Sequence, residues 1–106
     1  EDNDGVTPAQ YAAQQDQTAA LDVLVKAGCD VDQASMSGVT PALIAAKYGQ
    51  TAALRLLVKA GCDVNHANKN GTTAVLAAAL SGQTAALELL VEAGCDVNLA
   101  TKNGAT

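Results

Sequence analysis

The sequence predicts an all-α fold, a solenoid of stacked helix pairs, on two observations. The first is a 33-residue period: "GQTAALRLLVKAGCDVN" at 49–65 recurs as "GQTAALELLVEAGCDVN" at 82–98 and, altered, as "DQTAALDVLVKAGCDVD" at 16–32. Such a period marks a repeat protein. The second is that each copy carries two short helical segments. Because one helix pair cannot bury its apolar face alone, neighbouring pairs must stack.

The repeats are set at 2–34, 35–67 and 68–100, as one domain spanning residues 1–106. A chain of 106 residues suits a single domain. The segment "TKNGAT" at 101–106 restarts the pattern of "NKNGTT" at 68–73, which predicts a partial fourth repeat.

The first helix of each repeat is predicted over 8–15, 41–48 and 74–81. Thr7-Pro8 and Thr40-Pro41 have the pattern of an N-cap followed by proline at the first helical position, where a missing N–H costs nothing. Thr73-Ala74 keeps the cap without the proline.

The second helix is predicted over 18–27, 51–60 and 84–93. Gly49-Gln50 and Gly82-Gln83 form the turn before it; Asp16 replaces the glycine in the first repeat and tolerates the left-handed region. Three apolar positions per helix at i, i+3, i+4 spacing predict one buried face. They are Leu21, Leu24, Val25; Leu54, Leu57, Val58; and Leu87, Leu90, Val91. Gly28, Gly61 and Gly94 are predicted to end these helices in the left-handed conformation.

The connections between repeats, such as "CDVNHANKNG" at 62–71, are rich in Asn, Asp and Gly and predict a turn or short hairpin. The core should contain small side chains, because the chain has no Phe and no Trp. Small side chains let helices approach each other closely.

These segments resemble the ankyrin repeat over 2–106. The resemblance rests on the opening "GVTPALIAA" at 38–46, the "GQ" turn and the "LLV-AG-DVN" close. It implies antiparallel helix pairs with β-turn or hairpin loops projecting at roughly a right angle. The family opening T-P-L-H is changed at its last two positions to Ala9-Gln10, Ala42-Leu43 and Val75-Leu76. The missing His implies weaker side-chain ties between neighbouring turns.

The resemblance also implies a protein–protein interaction module without catalysis, whose partner contacts the loop tips and the concave side of the first helices. The candidate partner-binding residues are positions there at which the repeats differ: Met36, Ser37, Val39, Lys47, Tyr48, Lys69, Asn70, Thr72, Leu80 and Ser81. Met36, Tyr48 and Leu80 are favoured as one patch, because exposed apolar and aromatic side chains make interface hot spots. The alternative for any one of them is unconstrained drift of a solvent-facing residue.

Two other functions stay open. The chain fits a structural spacer within a longer ankyrin array, or an engineered or consensus-derived scaffold, given the high identity between repeats. An enzyme is the least expected class. The single histidine, His66, lies in a loop with no nucleophile pattern around it and is expected to be solvated. No cofactor or metal site is predicted.

Charge argues against two classes of partner. The chain has 11 acidic and 6 basic residues and a formal net charge of −5, and its Lys and Arg residues do not cluster. Nucleic-acid binding requires a basic face, so neither nucleic acid nor an anionic membrane surface is expected. Two columns of charge across the repeats, Asp22-Arg55-Glu88 and Lys26-Lys59-Glu92, are expected to aid register and solubility.

Cys29, Cys62 and Cys95 are 33 residues apart, which does not fit a zinc site. Stacked helices lie about 10 Å apart, too far for a disulfide. We expect buried thiols that act as small hydrophobes, and an odd number of unpaired cysteines favours an intracellular, cytoplasmic location.

The two ends of the array differ. Gln10, Gln14, Gln15 and Asp16 predict a polar, solvent-facing cap in the first repeat. In contrast, "TAVLAAALSG" at 73–82 is apolar, which predicts either further repeats in the parent protein or an uncapped end that frays or self-associates through the C-terminal repeat. Asn65 and Asn98 resemble substrates of asparaginyl hydroxylases, with an asparagine that braces the loop as the favoured alternative.

Overall fold

The fold was obtained as a computed structural model, which describes residues 7–94. This part of the chain contains six α-helices and no strand. The helices are α1 (Pro8–Gln14), α2 (Thr18–Lys26), α3 (Pro41–Tyr48), α4 (Thr51–Lys59), α5 (Ala74–Leu80) and α6 (Thr84–Glu92). Each begins where the sequence predicts, and each ends at the expected residue or one residue before it.

Threonine side chains start the first helix of every repeat, as predicted. The hydroxyl of Thr7 accepts a hydrogen bond from the backbone N–H of Gln10 at 3.1 Å. Thr40 and Thr73 do the same for Leu43 and Leu76 at 3.3 and 3.4 Å. All three threonines are buried, so the cap also satisfies polar groups that water does not reach.

The second helices end at glycine, as predicted. Gly28, Gly61 and Gly94 have φ values of +91°, +88° and +85°. The chain then turns back: after α4 the N–H of Gly61 donates to the carbonyl of Val58, and that of Cys62 to Leu57, at 3.0 and 3.1 Å. These bonds satisfy carbonyl groups at the helix end that would otherwise lack a partner.

The helices form two layers. α1, α3 and α5 pack side by side in one layer; α2, α4 and α6 form the other, each packed on the first helix of its own repeat. Alanines fill the first layer, and leucines join the two layers. The buried apolar residues include Ala9, Ala12, Ala13, Ala42, Ala45, Ala46, Ala74, Ala77 and Ala78 in the first layer and Leu21, Leu54, Leu57 and Leu90 in the second. The expected small-residue core is confirmed.

The prediction of a buried face on the second helices is confirmed for its central leucines and is wrong for Val91. Leu21, Leu54, Leu57 and Leu90 are fully buried, whereas Val91 is 52% exposed. Its equivalents Val25 and Val58 are half-buried. No helix of the described part of the chain packs on the outer side of α6, so Val91 lacks the neighbour that covers Val58.

Glutamines at the start of the second helices join adjacent repeats. The side-chain amide of Gln50 donates to the carbonyl of Gln14 at 2.9 Å, and that of Gln83 donates to the carbonyl of Lys47 at 3.3 Å. In both cases the acceptor lies near the C-terminal end of the preceding repeat's first helix, where carbonyl groups lack helical partners. The sequence predicts these glutamines only as turn residues.

The charge columns do not form ion pairs between repeats in residues 7–94. The ion pair found there joins Lys26 and Asp22 at 3.1 Å within α2, and both side chains are exposed. The expected contribution of these columns to register is therefore not realised as direct pairing. None of the six helices is long and apolar enough to cross a membrane.

Candidate partner-binding surface

The loops before α3 and α5 end in tight β-turns with the same geometry. In the first, the N–H of Gly38 donates to the carbonyl of Ser35, and the N–H of Ser35 donates to Val39, both at 2.9 Å. In the second, Gly71 donates to Asn68 at 2.9 Å, and Asn68 to Thr72 at 3.0 Å. Each turn is therefore a short hairpin without a regular strand, as the composition predicts.

The two hairpin turns stack directly on each other. The N–H of Lys69 donates to the carbonyl of Ser37 at 3.0 Å, which links the tips. Gly38 has φ +83°, and a Cβ atom added there would lie 3.1 Å from the Cα atom of Asn68. A larger residue at this position would strain the backbone and push the turns apart.

His66 joins the same two loops. Its Nε2 atom lies 2.8 Å from the carbonyl oxygen of Gly38, within hydrogen-bonding distance, and the side chain is half-buried. The expectation of a solvated loop histidine is therefore wrong. The ring reaches from its own loop to the backbone of the preceding loop. We therefore assign His66 a structural role in holding the two loops together.

Gln10 also holds a loop in place, contrary to its predicted place in a polar cap. Its side chain is only 2% exposed, and its amide donates to the carbonyl groups of Gln33 at 3.1 Å and Val39 at 2.7 Å. It stands where the family has His, so the expected weakening of side-chain ties is wrong for the first repeat. Leu43 and Leu76, at the same position in the other repeats, carry no polar group to make such bonds.

A groove of about 280 Å³ lies between α3 and α5, beneath the loop that leads into α5. Its lining combines apolar side chains with a few polar groups: Val39, Leu43, Ile44, Lys47, Asn68, Thr72, Ala77, Leu80 and Ser81. A groove of this size can accept one or two side chains of a partner protein.

Nine of the ten predicted partner-binding residues, all except Tyr48, divide into two neighbouring sets. Val39, Lys47, Thr72, Leu80 and Ser81 line the groove. Met36, Ser37, Lys69 and Asn70 are exposed at the tips of the stacked turns.

Met36, Tyr48 and Leu80 are 69%, 45% and 73% exposed, but the structure does not join them in one groove. Leu80 lies in the groove and Met36 at a loop tip. Tyr48 is next to the groove residue Lys47, whose ammonium nitrogen lies 5.5 Å from the centroid of the tyrosine ring. At this distance the ring attracts the cation and favours one position of the lysine side chain.

Sequence reasoning missed the floor of the groove. Leu43, Ile44, Asn68 and Ala77 line it, but none was a candidate binding residue. Ile44 offered a signal: it is aligned with Tyr11 and Ala77, so this position also differs between repeats.

The surroundings of Cys62 do not favour a reactive thiol. Cys29 and Cys62 are free thiols, half-buried against the core rather than fully buried as expected, and Cys95 lies outside the described residues. Burial, together with the negative charges of Asp32 and Asp63, raises the pKa of the Cys62 thiol from 9.0 to about 11. A raised pKa keeps the thiol protonated and poorly nucleophilic at neutral pH.

The candidate hydroxylation site Asn65 is exposed in the turn after α4, where its N–H donates to the carboxylate of Asp63 at 3.0 Å. Asn98 lies outside the described residues, and hydroxylation of either asparagine stays a prediction. No group of three or more His, Cys, Asp or Glu side chains in 7–94 is arranged to hold a metal ion.

Comparison with known proteins agrees with the architecture. A family model described as ankyrin repeats, in three copies, matches residues 10–101. A search of curated proteins gives no significant match. Ankyrin repeats are generally protein–protein interaction modules and are typically not catalytic. Because the model matches most of the chain and agrees with its stacked helix pairs and projecting turns, the chain belongs to the ankyrin-repeat family.

Proposed function

We propose that this chain binds a partner protein through the groove between α3 and α5 and the adjoining loop tips, and that it has no catalytic activity. The observation that supports this most is the groove. Leu80 keeps 73% of its surface exposed beside Val39, Leu43 and Ile44 in a concave site. Exposed apolar residues in a concave site with a polar rim are typical of protein-binding surfaces.

The rigidity of the surface supports the same function. The two turns are joined by a backbone hydrogen bond between Lys69 and Ser37 and by His66 at the Gly38 carbonyl. α3 and α5 pack closely beneath them. A surface held in this way loses little conformational entropy when a partner binds.

The test compares three immobilised baits in capture from cell lysate: the wild-type chain, Leu80→Asp in the groove, and Val23→Asp as a matched control. Val23 is 66% exposed and lies on α2, outside the groove. Both substitutions place a carboxylate at an exposed apolar position, and circular dichroism should show equal helicity. Mass spectrometry should identify a protein retained by wild type and Val23→Asp but lost with Leu80→Asp.

The other outcomes are also informative. A protein retained by all three baits would move the binding site to another face of the array. The absence of any specifically retained protein would favour a structural spacer or a scaffold. Self-association through the third repeat is a separate proposal, supported by the exposed Val91 and the half-buried Leu87 on the outer side of α6.

A further inference from the structure

Charge is distributed unevenly over the described part of the chain. In residues 7–94 every acidic side chain lies in the α1–α2 turn, on a second helix or in the loop just after one. These residues are Asp16, Asp22, Asp30, Asp32, Asp63, Glu88 and Glu92. The stretches 33–48 and 64–81, which supply both hairpin turns, α3 and α5, contain Lys47 and Lys69 and no Asp or Glu. The groove side is thus locally positive in a chain whose net charge is −5.

Neither lysine is neutralised by a carboxylate of the described chain. The ion pair found in that part joins Lys26 to Asp22 on α2. Lys47 lines the groove and its ammonium lies near the Tyr48 ring, which attracts a cation but does not neutralise it. Lys69 is exposed at the tip of the second turn. With respect to residues 7–94, both charges are therefore available to a partner.

The apolar part of the groove defines the second requirement. Val39, Leu43, Ile44, Ala77 and Leu80 form a surface that gains free energy only by burying apolar groups of a ligand. Phosphate chains of nucleic acid would leave these side chains unused, and two lysines would release few counterions. The combination of apolar lining and positive rim fits a protein segment with the complementary pattern.

We propose that the occupant of the groove is a partner segment that presents a bulky apolar side chain to Leu80 and a carboxylate to Lys47 or Lys69. This inference rests on the proposed function and specifies its partner chemistry. Electrostatic complementarity steers encounter and excludes wrong partners, so the two lysines would select acidic over basic segments of equal hydrophobicity.

The probe is a random displayed library of peptides of about 12 residues, a length sufficient to span both turns. It is selected separately on the wild-type chain, on Lys47→Glu with Lys69→Glu, on Leu80→Asp, and on Lys59→Glu. Lys59 is exposed at the end of α4, so it controls for a charge reversal away from the groove. The best wild-type peptide is then synthesised with a fluorescent label, and its Kd is measured by anisotropy for each variant.

The expected wild-type selection is enriched in Leu, Ile, Met or Phe within a few residues of Asp or Glu. The double charge reversal should raise the Kd of the labelled peptide about tenfold, in line with the loss of two exposed ion pairs. Peptides selected on the double variant should be enriched in Lys and Arg. Lys59→Glu should change Kd by less than about twofold. Raising NaCl from about 50 to about 500 mM should weaken the binding of the labelled peptide to the wild-type chain and strengthen its binding to the double variant, because salt screens attraction in the first case and repulsion in the second.

Three results would overturn this inference in different ways. Apolar peptides that need Leu80 but show no acidic preference, with unchanged Kd in the double variant, would refute the charge requirement and leave the proposed function standing. Selection that is the same on wild type and on Leu80→Asp would refute the groove as the binding site, and the proposed function with it. Equal binding of a labelled single-stranded oligonucleotide would also refute the inference, because it would indicate a general anion site.

Discussion

The side-chain amide of Gln50 donates a hydrogen bond to the backbone carbonyl of Gln14, 36 positions earlier, and so joins the second repeat to the first. Gln83 repeats the contact with Lys47 between the third repeat and the second. Gln17 occupies the equivalent position in the first repeat but makes no such bond to the described chain. The three glutamines therefore provide a matched comparison.

We expect Gln50→Glu to lower the free energy of unfolding by about 1 kcal/mol more than Gln17→Glu does, because a carboxylate cannot donate to the Gln14 carbonyl. Both positions immediately precede a second helix, so the interaction of the new charge with the helix N-terminus is the same. Urea unfolding followed by circular dichroism measures both values. Equal effects of the two substitutions would show that the cross-repeat bond contributes nothing to stability.

Gln10 is the buried polar side chain on which the first loop depends. Gln10→Leu should lower the free energy of unfolding by about 1–3 kcal/mol, because the carbonyl groups of Gln33 and Val39 lose their donor. Gln10→His keeps a ring N–H and should recover part of this loss. Gln15→Leu, on an exposed residue just after α1, is the control and should change stability by less than about 0.5 kcal/mol. A harmless Gln10→Leu would mean that water replaces the amide.

Asp16 has φ +56° in the turn where the other repeats have Gly49 and Gly82 at +70° and +69°. Asp16→Gly should raise the free energy of unfolding by about 0.5–1 kcal/mol, because glycine adopts this conformation without steric cost. Gly82→Asp is the reciprocal change, and no atom lies within 4 Å of an added Cβ atom there. It should lower stability by a similar amount in thermal unfolding. Two changes of the same sign would contradict the backbone explanation.

The Cys62 thiol should react slowly in the folded protein because its pKa is raised to about 11. With Cys29→Ala and Cys95→Ala, Cys62 is the only thiol, and its alkylation at pH 8 should be about tenfold slower when folded than in urea. This figure combines a lower thiolate fraction with the higher nucleophilicity of a more basic thiolate. Equal rates would contradict a raised pKa.

The same shift sets the sign of a stability change at high pH. The unfolded chain loses the Cys62 proton near pH 9, whereas the folded chain keeps it to about pH 11. Deprotonation of the unfolded state then favours unfolding, so stability is fully present below pH 9 and falls between about pH 9 and 11. Urea unfolding across this range should show a shallower decline for Cys62→Ala than for wild type.

Self-association through the third repeat predicts sedimentation coefficients that rise with protein concentration. Val91→Glu should abolish the rise, because it replaces an exposed apolar side chain on α6 by a third carboxylate beside Glu88 and Glu92. Met36→Glu changes an exposed apolar residue at a loop tip and should have no effect. Concentration-independent sedimentation of the wild-type chain would refute this proposal.

The 33-residue period, the threonine caps and the terminal glycines were sufficient to locate six helices within about a residue, because these signals act over neighbouring residues. The boundaries of the repeats were also apparent, because the copies share their turn and cap residues. The positions that differ between repeats lie at the loop tips and at the rim of the groove. The positions that the repeats share are those that pack the helices and stack the repeats. These parts of the fold depend on local chemistry that recurs in every copy.

The side-chain contacts between repeats could not be predicted from the sequence. Gln10 and His66 are polar, so both were expected in solvent, yet each is held by carbonyl groups of an adjacent loop that come within reach only when the repeats stack. Val91 has the apolar character of a core residue but is exposed, because burial requires a neighbour and not merely an apolar side chain. The periodic sequence determined the repeated unit, and the stacking of non-identical units decided which polar groups are paired and which apolar groups remain open to a partner.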